Sequence, residues 1–272
     1  MKTRMRDMSP NTGRTRVALE QVEVVDNVPT APSFFVMTLL APRCARLCEP
    51  AQFVELKVPG DPAELLRLPF SVYRTDTEAG RVSILYQVVG DGTRRMAAMR
   101  PGDRTDLLGP IGRGWHPPEG ARRALLVSGG TGAAPLVVLA ERLAESGASV
   151  DVCMGAQTSG RLVARDDLAA SGTLHVATDD GSEGHAGFCT DLSADLLDSR
   201  PFDYVATCGP YPMERIVAAQ AAAHDVVCEA SLETMMACGI GVCLGCVVDT
   251  TEGKRRVCVD GPVFDARKVV WR

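Results

Sequence analysis

Short runs of alternating apolar and polar residues fill the chain between Arg16 and Ile111. Turns rich in proline, glycine and aspartate separate these runs, as is typical of antiparallel strands. The runs read RVALEQVEVV, FFVMTLLA, AQFVELKV, FSVYR and RVSILYQVV. One piece, TRRMAAMR, has the spacing of a helix instead. We therefore predict a small antiparallel β-barrel in this part of the chain.

From about Ala121 the pattern changes to continuous apolar runs that alternate with helical segments. Buried strands are predicted at ALLVSGG, SVDVCMGA, TLHVATDD and YVATCGP, and helices at PLVVLAERLAESG and PMERIVAAQAAA. Strands that alternate with helices are typical of a parallel α/β sheet. After about Asp225 comes a short section, rich in cysteine and glycine, that is too small to fold on apolar burial alone.

These changes predict a multidomain fold of the β plus α/β class. A loose tail would cover residues 1–15, a β-barrel 16–115, an α/β nucleotide-binding domain 116–224 and a small cysteine-rich module 225–272. The basic opening residues lack the apolar core of a signal peptide. The most apolar stretch, ALLVSGGTGAAPLVVLA, is interrupted by glycines and a proline, which favours a buried strand, loop and helix over a membrane span. We therefore predict a cytoplasmic protein that does not enter the membrane.

Composition narrows the class of partner. The chain has 272 residues, 46% of them hydrophobic, and a net charge of -5. Acidic and basic residues are mixed along most of the sequence, so no basic patch indicates binding to nucleic acid or an anionic membrane. Small molecules or proteins are the expected partners. Ten cysteines in such a chain favour metal binding or redox chemistry over a disulfide framework.

Four cysteines near the C-terminus have the spacing of metal ligands. Cys238, Cys243, Cys246 and Cys258 form C-x4-C-x2-C followed by eleven residues and a fourth cysteine, the spacing associated with plant-type [2Fe-2S] ligation. The glycines between them allow positive φ and let amide groups point at the sulfurs. A zinc site and ordinary core cysteines are the alternatives. The other six cysteines are expected to be mostly small buried hydrophobes; they are Cys44, Cys48, Cys153, Cys189, Cys208 and Cys228.

A glycine loop follows the first strand of the α/β part. In SGGTGAAPL, the residues Gly130, Thr131 and Gly132 lie between a buried strand and a helix start, where α/β folds bind pyrophosphate. The loop lacks a full G-x-G-x-x-G pattern, so a plain strand-to-helix turn is the alternative. A second strand ends at CGPYPM, which predicts Cys208, Gly209 and Pro210 on the same edge of the sheet. Cys208 is expected either to contact a nicotinamide ring or to be packing only.

Several motifs occur together in an order known from one family. The chain from about Arg16 to Phe264 resembles the iron-sulfur electron-transfer subunit of NADH-dependent dihydroorotate dehydrogenase, within the ferredoxin-reductase superfamily. The resemblance rests on LPFSVYR, VVGDGTRRM, DLLGPIGRGW, SGGTGAAPL, DDGSEGHAGFCTDL, CGPYPM, SLETMMACGIGVCLGCV and VCVDGPVF. It implies a flavin-binding barrel, a domain that binds NADH and a C-terminal [2Fe-2S] module. The implied partner is a catalytic flavoprotein subunit that oxidises dihydroorotate, in a heterotetramer for pyrimidine biosynthesis.

The resemblance also implies individual site residues. FAD, with FMN as an alternative, would be held by the segment of Pro69, Phe70, Ser71 and Val72. Its phosphates would contact a turn formed by Gly92 and Thr93, and NADH phosphates would contact the Gly130–Gly132 loop. The cluster ligands would be the four cysteines given above. No acid or base residue is implied for hydride transfer, and His116, His175, His185 and His224 are expected to be structural or surface residues.

One position departs from the superfamily pattern. Leu68 stands where an arginine that binds the flavin pyrophosphate is expected, and Arg67, Arg94 or Arg95 are the candidates to supply that charge. The choice between NADH and NADPH also stays open, since Arg161 is the one suggestive residue near the expected adenosine ribose. Two further alternatives remain. The chain could serve another partner, as in a ferredoxin:NADP oxidoreductase or a specialised oxidase, or it could be a flavin-free regulatory protein.

Overall fold

Six antiparallel strands close into a barrel in the N-terminal half of the chain, in the order β1-β2-β5-β4-β3-β6. The computed structural model describes residues 17–58, 60 and 66–272. The strands are β1 (Ala18–Ala31), β2 (Phe34–Leu40), β3 (Phe53–Leu56), β4 (Leu68–Asp76), β5 (Arg81–Gln87) and β6 (Arg104–Ile111). Two short helices belong to the same part, α1 (Pro42–Leu47) and α2 (Asp91–Ala97). The predicted barrel is confirmed; the predicted tail over residues 1–15 lies outside the described residues.

Alternation along the strands builds the barrel core. In β2, Met37 and Leu39 are buried while Thr38 between them is half-buried, because successive side chains point to opposite faces of a strand. The sequence prediction missed β6, which contains Gly109 and Pro110 and therefore reads as a turn. Helix α2 begins at Asp91, two residues before the predicted helical piece.

The second half of the chain forms a sheet in which β7 to β12 are all parallel. Its strands are β7 (Arg123–Gly129), β8 (Ser149–Ala156), β9 (Thr173–Thr178), β10 (His185–Ala186), β11 (Tyr204–Cys208) and β12 (Val227–Ser231). The helices between them are α3 (Ala134–Glu145), α4 (Arg165–Ser171), α5 (Cys189–Ser199) and α6 (Tyr211–Ala223). The order β10-β9-β8-β7-β11-β12 reverses beside β7, so the carboxyl ends of β7 and β11 form the switch point where such sheets bind ligands.

The cysteine-rich section is attached to one edge of this sheet at both of its own ends. It continues from β12 through a loop into a hairpin of β13 (Val247–Thr250) and β14 (Gly253–Arg256), the short helix α7 (Val257–Asp260) and β15 (Val263–Asp265). Strand β15 pairs antiparallel with β12 and becomes the seventh strand. Among the described residues, no helix is long and apolar enough to cross a bilayer.

The barrel and the α/β sheet share a packed and charged interface. Arg74 of β4 forms ion pairs with Glu141 of α3 at 2.6 Å and with Asp167 of α4 at 2.8 Å. The Tyr73 hydroxyl also donates a hydrogen bond to Asp167. Trp115 lies between the two parts and donates from its indole nitrogen to the carbonyl of Pro135 at 2.9 Å. These contacts set the position of the barrel against the carboxyl edge of the sheet.

Candidate functional site

A cavity of about 550 Å³ opens at the switch point of the sheet. The glycine loop after β7 and the loop after β11 form one part of its wall, and Gly155, Ala156, Gln157, Arg161 and Asp179 form another. Phe34 of the barrel closes it from the opposite side, where the Arg161 guanidinium lies 5.5 Å from the centre of its ring. The lining residues run from Asp179, just after β9, to Pro210, just after β11. An extended ligand such as a dinucleotide needs a site that spans several strand ends in this way.

The glycine loop is built for close approach of backbone. Gly130 has φ of +56°, which favours glycine, and a Cβ on Gly132 would lie 2.2 Å from the carbonyl oxygen of Cys208. Residues 130–133 form a 3-10 turn that leads directly into α3, with Pro135 in its first turn. The predicted residues Gly130, Thr131 and Gly132 all line the cavity. Free amide groups at such a turn provide a site for phosphate oxygens.

The predicted residues after β11 divide between cavity and core. Gly209 and Pro210 line the cavity. Cys208 is not one of its lining residues; its side chain is buried and its thiol donates to the carbonyl of Ser231 at 3.6 Å. Of the two readings of Cys208, packing therefore describes its surroundings in this structure. Burial, together with Glu233 and Glu214 nearby, raises the pKa of this thiol.

A second cavity of about 270 Å³ adjoins the barrel. Its barrel wall contains the predicted residues Pro69, Phe70 and Ser71, with Thr93 at the start of α2. The Thr93 hydroxyl accepts hydrogen bonds from the amides of Val89 and Gly90 at 2.9 and 3.1 Å, which fixes this turn. The wall is mostly apolar with a few polar groups, which fits the ring system of a flavin.

Two predicted flavin contacts do not line this cavity. Val72 is buried and packs in the barrel core. Gly92 lies in the first turn of α2 and is not a lining residue either. Of the arginines considered in place of Leu68, Arg67 is held by Asp106 at 2.7 Å, and Arg94 is paired with Asp91.

Among the residues that the structure describes, three side chains line both cavities, and one of them was a predicted site residue. They are Gln87, Thr131 and Glu233. One side of the Glu233 side chain is exposed to the cavities. Protein surrounds its other sides, and this partial burial raises the pKa of its carboxyl group. It stands two residues after β12, so its place near a strand end was the available signal.

The four predicted ligand cysteines come together as two pairs. The sulfur atoms of Cys246 and Cys258 are 3.3 Å apart, and both side chains are buried. The sulfur of Cys238 accepts a hydrogen bond from the amide of Cys243 at 3.4 Å and is in contact with the Cys243 side chain. In the described part of the chain, no three His, Cys, Asp or Glu side chains form a group that could hold a single metal ion. Two pairs of thiolates fit a cluster of two irons.

Backbone amides favour the thiolate form in this loop. Burial raises the pKa of Cys238, but amides of Cys243, Ile240 and Val242 outweigh it and lower the pKa to about 7. Two more backbone amides donate to sulfur atoms. The Gly245 amide donates to the Cys243 sulfur at 3.4 Å, and the Cys258 amide donates to the Cys246 sulfur at 3.5 Å. Amide donors around coordinated sulfur are the usual second layer of an iron-sulfur site. The donor set therefore fits the predicted group.

Glycine is required at two points of the loop. Gly239 and Gly241 have φ of +61° and +82°. A Cβ on Gly239 would lie 2.8 Å from the carboxyl carbon of Glu55, a buried residue of β3. The Arg256 guanidinium donates to the carbonyl of Gly241 at 3.0 Å and so ties the loop to β14. The loop thus packs directly on the barrel.

The remaining six cysteines and the four histidines have other surroundings. All ten cysteines are free; five of the six others are buried, and Cys48 is half-buried. Cys189 is among the buried ones but also lines the larger cavity. Each histidine lies next to a carboxylate: the partners of His116, His175, His185 and His224 are Glu229, Asp151, Asp191 and Asp198.

The C-terminal part of the chain matches a known family. Residues 233–270 match the family model described as the iron-sulfur cluster binding domain of dihydroorotate dehydrogenase B. A protein of Bacillus caldolyticus named dihydroorotate dehydrogenase B (NAD(+)), electron transfer subunit, is 39% identical over 260 residues, 93% of this chain and 99% of that protein. A protein of the same name from Desulforamulus reducens is 36% identical over 246 residues, 89% of this chain and 94% of that protein.

Solved structures show the same architecture. The NADH-dependent reduced ferredoxin-NADP oxidoreductase has a TM-score of 0.84 at 32% identity, covering 92% of this chain and 89% of that chain. A ferredoxin NADP+ reductase from Neisseria gonorrhoeae with bound FAD and NADP has a TM-score of 0.65 at 16% identity, covering 79% and 99%. The second likeness shows a shared fold. The predicted fold class, with its barrel, α/β sheet and cluster module, is confirmed.

Proposed function

We propose, since this chain belongs to the family of electron transfer subunits of dihydroorotate dehydrogenase B, that it passes electrons from NADH through FAD and a [2Fe-2S] cluster to a catalytic partner subunit. The partner would be the flavoprotein that oxidises dihydroorotate. When the partner oxidises dihydroorotate, the two electrons would run the opposite way along the same path, from the partner through the cluster and FAD to NAD+, which is reduced to NADH. Because its ten cysteines are all free, we further propose that the chain works in the reducing cytoplasm.

One segment carries this proposal. Ser231, Leu232, Glu233, Thr234 and Met236 all line the cavity assigned to the flavin. The same segment ends at Cys238, the first of the paired cysteines. The flavin cavity and the cluster loop are thus joined by a few consecutive residues, which is the arrangement that a short electron path requires.

The chain's own residues bind and orient the cofactors. The loop of Gly130, Thr131 and Gly132 would hold the NADH pyrophosphate, with Gly209 and Pro210 at the nicotinamide end of the same cavity. Pro69, Phe70, Ser71 and Thr93 would hold the flavin beside it. A bound flavin accepts electrons in pairs and donates them singly, which matches a two-electron donor to a one-electron cluster. The protein supplies position and exclusion of water.

The surface around the cluster loop suits a protein partner. Met235, Ile240, Val242 and Leu244 are exposed there, Met235 by 91% and Val242 by 75%. Cys243 in the middle of this group is also exposed. Several exposed apolar side chains close in sequence to a redox centre are typical of an interaction site, because a partner that covers them excludes water there. We assign this surface, named here the cluster rim, to the catalytic subunit.

Reconstitution tests the proposal directly. The chain is coexpressed with the catalytic subunit of a dihydroorotate dehydrogenase B, and dihydroorotate-dependent reduction of NAD+ is measured. We expect a stable complex that reduces NAD+, whereas the catalytic subunit alone should not do so. A complex that forms without any NAD+ reduction, with both cofactors present, would contradict the proposal.

A second candidate partner is a ferredoxin. The 32% identity to the NADH-dependent reduced ferredoxin-NADP oxidoreductase over 92% of this chain favours it as the alternative. NADH-driven reduction of a ferredoxin by the chain, without any activity in the reconstituted dihydroorotate complex, would select this alternative.

A further inference from the structure

The flavin cavity contains few groups that can exchange a proton. Among its described lining residues, the ionisable side chains are Tyr86 and Glu233. Burial raises the pKa of Tyr86 to about 12, although Asn27 accepts a hydrogen bond from it at 3.0 Å, so this phenol keeps its proton near neutral pH. No histidine, lysine or aspartate lines the described wall of this cavity. Glu233 is therefore the lining side chain that can accept a proton there.

The proposed electron transfer produces a proton in this cavity. A hydride from NADH would bring two electrons and one proton to a bound flavin and leave NAD+. A [2Fe-2S] cluster would accept the two electrons singly and would accept no proton. One proton must therefore leave the flavin for each hydride that arrives, so that the flavin returns to its oxidised state.

We infer that the Glu233 carboxylate accepts the proton released when the flavin passes its electrons to the cluster. This rests on the proposed electron-transfer function. Glu233 is suited by position, because it lines the flavin cavity and the nucleotide cavity at once. Its side chain is exposed to the space that the nicotinamide would occupy, so the proton can pass to solvent after NAD+ departs. Proton transfer by a placed carboxyl group is ordinary general base catalysis.

The groups around Glu233 favour proton uptake. Besides burial, the negative charge of Glu233 contributes to raising the pKa of Glu214 in α6 and of Cys208 in β11. Burial raises the pKa of Glu214 to about 9, so Glu214 is neutral near pH 7 and places no second negative charge beside Glu233. In the larger cavity the charged lining residues are Arg161 and Asp179. Burial itself raises the pKa of Glu233 and makes it a stronger base than a solvated glutamate.

Glu233→Gln, measured in the chain loaded with FAD and cluster, separates the two steps. After anaerobic mixing with NADH, flavin reduction is followed by absorption and cluster reduction by rapid-freeze EPR. We expect flavin reduction to stay within about twofold, while cluster reduction slows by at least about tenfold. Glu233→Asp should restore part of the rate. The control is Glu214→Gln, which replaces a buried, protonated carboxyl group outside both cavities with an amide of the same shape.

A second readout does not depend on turnover. The flavin midpoint potential is titrated against pH; in the wild type its pH dependence should change slope where Glu233 ionises, and the glutamine variant should lose that change. If both rates fall together, Glu233 positions the nucleotide and the inference is wrong. If neither rate nor potential changes, it is also wrong. If NADH fails to reduce the wild-type cluster, the proposed function itself fails. That failure is seen in the wild type, so it is distinguishable from the two outcomes that concern the Glu233 variant.

Discussion

The sulfur atoms of Cys246 and Cys258 lie 3.3 Å apart, although Cys246 ends the glycine loop and Cys258 lies in α7 beyond the hairpin. The pair thus links the glycine loop to α7, the helix that precedes β15, and β15 pairs with β12. A two-iron cluster held by this pair and by Cys238 and Cys243 would therefore lock the C-terminal section onto the sheet. Cluster binding and folding of this section should be coupled.

Cys258→Ser should remove the cluster. A serine hydroxyl is a poor ligand beside three thiolates, so we expect iron and acid-labile sulfide to fall to less than about a fifth of the wild-type content. Cys48→Ser is the matched control, because Cys48 is half-buried and lies outside the loop. Full iron content in the Cys258 variant, measured by metal and sulfide analysis, would show that this cysteine is not a ligand.

Gly132→Ala should damage the nucleotide loop. Its Cβ would lie 2.2 Å from the Cys208 carbonyl oxygen and 2.8 Å from the Gly209 Cα, so backbone must move. We expect a loss of stability on the order of 1–3 kcal/mol and at least about tenfold weaker NADH binding. Gly160→Ala is the control, since no atom lies within 4 Å of its added Cβ. Urea unfolding and NADH titration measure both effects; equal behaviour of the two variants would refute the steric account.

Arg74→Ala should loosen the contact between barrel and sheet. The ion pairs to Glu141 and Asp167 are each about one third exposed, so their loss should cost only about 1 kcal/mol. Arg104→Ala is the control: Arg104 pairs with Glu23 within the barrel, and its side chain is 77% exposed. Its loss should not change the free energy of unfolding measurably. The urea midpoints of the two variants test this difference. A larger loss for Arg104 than for Arg74 would contradict the assignment.

Glu214 should make the protein less stable at high pH. Burial raises the pKa of this carboxyl group from 4.5 to about 9, so the folded state holds a proton that the unfolded state releases. Its stabilising effect is complete below pH 4.5 and is lost as pH rises through 9. Relative to Glu214→Gln, the wild type should lose up to about 1.4 kcal/mol per pH unit in this range. A flat Glu214 difference from pH 5 to 9 would contradict the burial argument.

Val242→Asp should weaken binding of the catalytic subunit. This side chain is 75% exposed on the cluster rim, so a charge there is free in the isolated chain but must be desolvated in a complex. We expect the dissociation constant to rise at least about tenfold, with iron and sulfide contents that match those of the wild type. Leu19→Asp, on an exposed barrel position remote in sequence, is the control. Equal affinities of both variants would place the partner elsewhere.

Features fixed by local pattern could be predicted from the sequence. The cysteine spacing, the glycine loop after β7 and the alternating barrel strands each depend on neighbouring residues. The barrel is confirmed, and the structure brings the four cysteines into two pairs and places the glycine loop in the wall of the larger cavity. Strand β6 was missed because its glycine and proline resemble a turn, and only pairing with β1 and β3 makes it a strand.

Features fixed by contact between distant segments could not be predicted. The family resemblance indicated Pro69, Phe70 and Ser71, but only the fold shows that the opposite wall of their cavity is formed by residues between 231 and 236. The direction of the Cys208 side chain also depends on the register of β11 beside β12. Glu233 is the clearest case, because its place two residues after β12 indicates an edge of the sheet but does not reveal that its carboxyl group lines two cavities.

The most direct test of the relay is an anaerobic titration of the purified chain with NADH, followed by absorption and EPR spectroscopy. The account predicts flavin and [2Fe-2S] absorption before addition, loss of both on addition, and an EPR signal from the reduced cluster. A chain that contains the cluster but binds no flavin, and whose spectrum NADH leaves unchanged, would contradict it.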